Sequence, residues 1–214
     1  MQGAGADALP LSAVLHGLPP VPPSSVDPVL DAAATCFARY GVRRTSVQDV
    51  AKQLGVNRTT VYRQVGNVEQ MASLLAVRET HRTLATLPRR MSWPIGPRAI
   101  VDMMATLVTE AQEHPVLAKM LADERDMIGS MLAGDAPQLL RRITSALAPL
   151  IAMAMRTGHI AKRDPAVIAE WLARICGSLI LVEAPGRVED FLAELLIPAL
   201  TPEPIRKRLR SRDR

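Results

Sequence analysis

Residues 45–64 read TSVQDVAKQLGVNRTTVYRQ, and few folds accommodate such a stretch. Ser46 stands where a helix can begin. Asp49 follows three residues on, the S-x-x-D form of a capping box, in which each side chain satisfies a backbone N–H at the helix start. Val47, Val50, Ala51 and Leu54 recur at helical spacing and face inward. Gly55 ends this helix at a position suited to left-handed geometry, and Asn57 caps a second short helix that begins at Arg58. Ala51 is small enough to let the second helix cross closely, with Val56 and Val61 filling the angle. This arrangement is the helix-turn-helix pattern. With Val61 turned inward, Arg58, Thr59, Thr60, Tyr62 and Arg63 remain on the outer surface, where donors and short polar groups suit base edges and phosphates. The preceding run 41–46, GVRRTS, adds cations and hydroxyls beside that surface, among them Arg44, Thr45 and Ser46. A helical hairpin with a merely solvated polar face would show the same spacing, and is the competing reading.

The remaining chain is compatible with a helical protein. In 214 residues, 48% are hydrophobic and only 3% aromatic, which excludes general disorder and favours helix over strand. A net charge of +5 and a pI near 9.8 fit an anionic partner without requiring one. Cys36 and Cys176 lie far apart within apolar helical patterns and read as small buried thiols. His16, His81, His114 and His159 show no ligand spacing, so no metal or other cofactor is expected. No signal peptide is recognisable, and the longest apolar runs are too short to span a bilayer. The expectation is a cytoplasmic protein with no membrane contact.

Prolines at 10, 19, 20, 22 and 23 mark residues 1–25 as an unpacked arm. Helical periodicity starts at Asp27, where Val29, Leu30, Ala33, Cys36, Phe37 and Tyr40 share a face that Gly41 closes. Later helices are expected over 69–87, 98–114, 115–132, 136–157, 165–182 and 188–200, separated by glycine and proline breakers. In the helix over 165–182, Ile168, Trp171, Leu172, Ile175, Leu179 and Val182 form one apolar stripe, and Ala169, Ala173, Cys176 and Ile180 a second. A helix apolar on two faces needs two partners. One is its own core; the other is a second copy of the chain, unless the helix lies central within one subunit. The basic run 205–214 after Pro202 and Pro204 reads as a solvated tail.

Over 29–75, VLDAAATCFARYGVRRTSVQDVAKQLGVNRTTVYRQVGNVEQMASLL, the chain resembles the DNA-binding domain of TetR-type transcriptional regulators. The matching features are LDAA…F…YG on the first helix, TSVQDVAKQLGV on the second and TTVYRQ on the third. Two positions depart: Val65 stands where the family usually has an aromatic, and Val68 where it commonly has a lysine. The resemblance implies an all-α protein with a three-helix helix-turn-helix domain (26–68) joined to a helical bundle for ligand binding and dimerisation (69–203). It implies double-stranded operator DNA as partner, and a homodimer paired through the last two helices. Ala169, Ala173, Cys176, Ile180, Phe191, Leu192, Leu195 and Leu196 are the interface candidates. A regulator of this kind needs an effector site. The bundle's flexible apolar side chains suggest an apolar small molecule held by Trp93, Met103, Met104, Leu107, Met120, Met127, Met131, Met153, Met155 and Trp171, although methionine also serves as plain core filling.

Two other function classes compete with this one. An enzyme finds no Walker-type glycine loop, no G-x-S-x-G elbow, no H-E-x-x-H and no dinucleotide fingerprint here. The carboxylates Asp123, Glu124 and Asp126 read as surface charge. An architectural or ligand-independent DNA binder would leave the large C-terminal domain with dimerisation as its sole task.

Overall fold

The computed structural model describes residues 19–90, 92–128 and 136–203, apart from the side chains of 87, 88 and 136. Among the described residues there is no strand. A short 3-10 turn, Ser24–Val26, leads into α1 (Asp27–Tyr40), then α2 (Val47–Leu54), α3 (Arg58–Val65) and the long α4 (Val68–Arg90). The bundle follows as α5 (Pro97–Glu113), α6 (Pro115–Asp123), α7 (Ala136–Arg156), α8 (Pro165–Leu181) and α9 (Val188–Leu200). Proline opens α5, α6 and α8, where its missing N–H costs nothing. Asp164 caps α8 through Oδ1, which accepts from Ala166 N at 2.8 Å and Val167 N at 3.3 Å.

Two expected ends move. α4 continues through Pro88 to Arg90. The fixed φ of proline is itself helical, and a proline this near the end of a helix removes only one hydrogen bond. α6 stops at Asp123 instead of running to 132: Glu124 adopts φ −133°, ψ 38°, and a further helical turn occupies 125–128. The side chain of Glu124 is drawn away from its own helix, for a reason given below.

The helices enclose two cores. In the first, Leu30, Phe37, Val50, Ala51, Val61 and Met71 are wholly shielded from solvent. This head core also takes Leu75 from α4 and Val116 from α6, so its packing extends beyond the expected boundary at 68. Val65 is buried there too, filling with a smaller side chain the position where an aromatic is common. Val56, expected inside the turn, is exposed; Val61 alone fills the angle. The second core joins α5, α7, α8 and α9 through Val101, Met104, Val108, Ile151, Ala169 and Leu196. Hydrogen bonds across elements tie it further: Gln112 Nε2 donates to the carbonyl of Leu179 at 2.7 Å, and Ala161 N to that of Leu200 at 2.8 Å. Both acceptors lie in the last turn of a helix, where carbonyls lack an intrahelical donor.

α4 belongs to both parts. Midway along it, the buried Arg78 reaches Asp27 Oδ1 at 3.1 Å, Asp31 Oδ1 at 2.8 Å and Glu79 Oε1 at 2.9 Å. An arginine removed from water needs such a full complement of acceptors. Three residues on, His81 Nε2 lies 2.8 Å from the carbonyl oxygen of Pro19, and Pro22 is buried. The end of the expected arm is therefore packed against α4; residues 1–18 and the basic tail 204–214 lie outside the described residues. Cys36 and Cys176 are free thiols, and burial raises both, Cys176 to about 11.

Candidate nucleic-acid interface

The local chemistry of the head fixes where its outer helix points. At the start of α2, Ser46 N donates to Asp49 Oδ2 at 2.9 Å, and Asp49 N donates to Ser46 Oγ at 3.3 Å. The Ser46 hydroxyl closes the box by donating to Asp49 Oδ2 at 2.6 Å. These bonds hold the Asp49 carboxyl below its ordinary range. The stabilisation is thus complete above the ordinary carboxyl range and fades only as pH falls through the lowered value. Gly55 turns the chain at φ 76°, ψ 28°, and Asn57 Oδ1 accepts from Thr59 N at 2.9 Å to start α3. α4 opens with a second reciprocal box, Asn67 N to Gln70 Oε1 at 2.9 Å and Gln70 N to Asn67 Oδ1 at 2.8 Å. Gly66 turns the chain at φ 77°, a conformation that favours glycine, and a Cβ there would meet the Gln70 side chain. The N-x-x-Q pattern at 67–70 carried this signal and escaped the reading of the sequence.

Val61 and Val65 turn α3 so that Arg58, Thr59, Tyr62 and Arg63 face solvent, with Tyr62 58% exposed. Thr60 is half-buried at the edge of this face. Gln64, exposed beside Arg63, and Gln48 and Lys52 on the outer side of α2 extend the polar surface beyond the expected residues. Arg44 is exposed as expected. Thr45 is different: it is buried, its hydroxyl donates to the Gly41 carbonyl at 2.6 Å, and the side chain closes the turn instead of presenting itself to a phosphate. Ser46 is exposed, but its hydroxyl hydrogen is already committed to Asp49. The surface thus combines arginines with short polar groups around a rigidly seated helix.

A family model for bacterial regulatory proteins of the tetR family matches residues 29–72, which span α1, α2, α3 and the start of α4. An uncharacterized HTH-type transcriptional regulator of Mycobacterium tuberculosis is 27% identical over 187 residues, covering 83% of this chain and 86% of that protein. The crystal structure of a TetR-family transcriptional regulator from Pectobacterium atrosepticum superposes with a TM-score of 0.60 at 19% identity, over 80% of this chain and 87% of that one. A complex of SmeT with triclosan matches with a TM-score of 0.55 at 16% identity, over 84% and 92%. At such identities the two structures speak for the fold. The chain carries the N-terminal domain of the tetR family of bacterial regulatory proteins. Its relatives are DNA-binding regulators and not enzymes.

The residues expected to line an effector site are not brought together. Met104 and Met155 are buried in the bundle core, with Met153 packed at its edge. Met120 and Met127 pack against the head core instead, because α6 leans on α1. Trp93 and Trp171 are 50% and 42% exposed. Met103 and Leu107, one turn apart on α5, are half-buried and lie in neither core, and Met131 falls outside the described residues.

The interface candidates also divide. Ala169, Leu192 and Leu196 are buried within a single chain, and Cys176 and Ile180 pack against the same core. Of the original set, Phe191 and Leu195 are exposed, and Ala173 is half-buried. The outward side of α8 carries Val167 and Trp171, with Val182 just past its end, so the helix is rotated from the expected orientation.

The two caps of the motif should each show in stability. Ser46→Ala and Asn57→Ala should each cost about 1 kcal/mol in urea unfolding of the full chain, without loss of helix elsewhere by circular dichroism.

Proposed function

We propose that this regulator represses transcription as a homodimer on operator DNA and is released by a largely apolar small molecule. The observation that carries the DNA reading is the outer face of α3. Arg58, Thr59, Tyr62 and Arg63 are exposed on a helix whose opposite side is locked into the head by Val61 and Val65. Two such helices in a symmetric pair would enter successive major grooves, with half-sites about 34–36 Å apart or somewhat more. Arg58 and Thr59 are the base-reading groups, with Thr60 beside them; Arg44, Tyr62 and Arg63 flank them for phosphate.

The apolar side chains left in solvent support the pairing. Val167, Trp171 and Val182 at α8, with Phe191 and Leu195 on α9, are all exposed in the single chain, Leu195 at 62%. Such residues on adjacent elements are what a self-complementary contact buries.

Support for an apolar effector comes from half-buried residues outside both cores. Besides Met103 and Leu107, these include Leu117 and Leu121 on α6 and Leu140 and Ile143 on α7. On α7 the Thr144 hydroxyl oxygen is buried with no hydrogen-bond partner among the described residues. A buried hydroxyl left without a partner costs about 1–3 kcal/mol, which a ligand's polar atom would recover. The effector is therefore read as apolar with one hydrogen-bonding group. SmeT, a protein of similar fold, forms a complex with triclosan. A ligand-independent architectural binder would show no response to such compounds.

Selection from random duplexes with the purified chain should enrich one pseudo-palindrome. Arg58→Ala should relax base preference at a defined position and cost about 1–3 kcal/mol, whereas Arg44→Ala should weaken all sequences alike. Failure to enrich any motif at physiological salt would end the specific-regulator reading. Sedimentation should show a dimer at micromolar concentration, and Trp171→Glu with Leu195→Arg should shift it to monomer. A monomeric wild type would count against the interface. Apolar compounds that quench tryptophan fluorescence should also release the selected duplex, and Thr144→Val should lower their potency while leaving DNA affinity intact. Release by charged metabolites alone would overturn this assignment.

A further inference from the structure

Apart from α4, the bundle grips the head where α6 ends. Glu124 is 4% exposed, and its carboxylate leaves the bundle to reach the turn after α1. Oε2 accepts from Val42 N at 3.1 Å and Oε1 from Arg43 N at 2.8 Å. Gly41, at φ 87°, makes room: a Cβ there would sit 2.7 Å from Oε1. The backbone of Glu124 is held on both sides, its N–H donating to Met120 O at 2.8 Å and its carbonyl accepting from Met127 N at 3.0 Å. Two residues on, Asp126 Oδ2 takes a 2.6 Å hydrogen bond from the Arg43 guanidinium. On the same segment, Asp123 is paired with Lys119 at 2.8 Å.

These contacts fall on the turn that carries Arg43 and Arg44 beside the reading surface. Thr45 closes that turn from within, and Glu124 closes it from the bundle. Without the carboxylate, the buried N–H of Val42 and the half-buried N–H of Arg43 would lose their acceptors, a loss that favours movement of the turn. Hydrogen bonds to a charged acceptor are stronger than neutral ones and weaken steeply as their geometry degrades, so a small displacement of α6 is enough to break them.

We propose that residues 124–126 couple the bundle to the DNA-reading surface: Glu124 positions the turn that presents Arg43 and Arg44, and Asp126 competes with a DNA phosphate for Arg43. The proposal rests on reading the head as a DNA-binding surface. Glu124 is a positioning residue, acting through the backbone of the turn. A ligand that shifts α6 would therefore change DNA affinity without passing through α4.

The test uses the full chain and the duplex enriched by the wild type, with a scrambled duplex of equal length. Binding is followed by fluorescence anisotropy over a salt series, and backbone protection by hydrogen exchange. Glu124→Ala should weaken binding to both duplexes about tenfold. Exchange should accelerate over residues 42–46 while α2 and α3 stay protected. Glu124→Gln, which keeps one oxygen acceptor, should fall between Glu124→Ala and the wild type. Asp126→Asn, at an exposed position, should tighten binding about threefold and steepen the salt dependence by about one counterion. Glu124→Ala with wild-type affinity and exchange would overturn the proposal, as would accelerated exchange throughout the head. An Asp126→Asn chain with unchanged affinity and salt slope would overturn it too. Failure of the DNA reading itself appears in the wild type, as no enriched duplex; failure of the coupling appears only in the variants.

Discussion

Everything on the reading surface depends on how closely α3 can cross α2. Ala51 and Val61 are both wholly buried, and the left-handed Gly55 lets the chain reverse between them. A larger side chain at 51 would push α3 outward, and close-packed interiors yield to such a change at a cost of about 1–3 kcal/mol. Among the described residues, the outward side chains of α3 make no hydrogen bond or ion pair. Arg58 and Tyr62 are placed by what Val61 does on the other side, and the caps at Ser46 and Asn57 fix where each helix begins.

The charges around the head are arranged in opposition. Arg43 and Arg44 lie beside the reading surface, while Asp123, Glu124 and Asp126 approach the same turn from the bundle. The hydrogen bond from Lys119 holds the Asp123 carboxyl below its ordinary range, and that from Arg43 does the same for Asp126. For a group so lowered, the pairing is fully present above the ordinary carboxyl range and is lost only as pH falls through the depressed value. Mild acid therefore leaves both pairs charged. The grip of the Arg43–Asp126 pair answers to geometry, and hence to whatever moves the end of α6.

Much of the head was legible because its signals are local. The S-x-x-D box, the Asn57 cap, the glycine turn and the buried faces of α1 and α2 all stand within a few residues of one another in sequence. The element types of the bundle were legible for the same reason, from proline starts and helical spacing. What could not be read was rotation and long-range pairing. The second apolar stripe of α8 looked free for a partner, yet Ala169 sits in the core and Trp171 outside, because the two stripes adjoin and spacing alone does not say which one the other helices cover. Met120 and Met127 looked like bundle residues until α6 proved to lean on the head. Glu124 looked like surface charge, since nothing near it in sequence points to backbone amides 81 and 82 residues away.

The two ends of α1 are held by different elements outside the helix-turn-helix. At its start, Asp27 and Asp31 bind Arg78 on α4; at its end, the turn over 41–43 binds Glu124 beyond α6. A rigid helix fastened at one end can swing about that point. Fastened at both, its direction is set by the separation and relative height of the two anchors. α1 in turn packs on α2, and α2 on α3. A displacement of α6 relative to the middle of α4 therefore tilts α1, and the shared core carries the tilt to α3. The two anchors, Arg78 on α4 and Glu124 just past α6, belong to separate elements, so their separation sets how α1 lies.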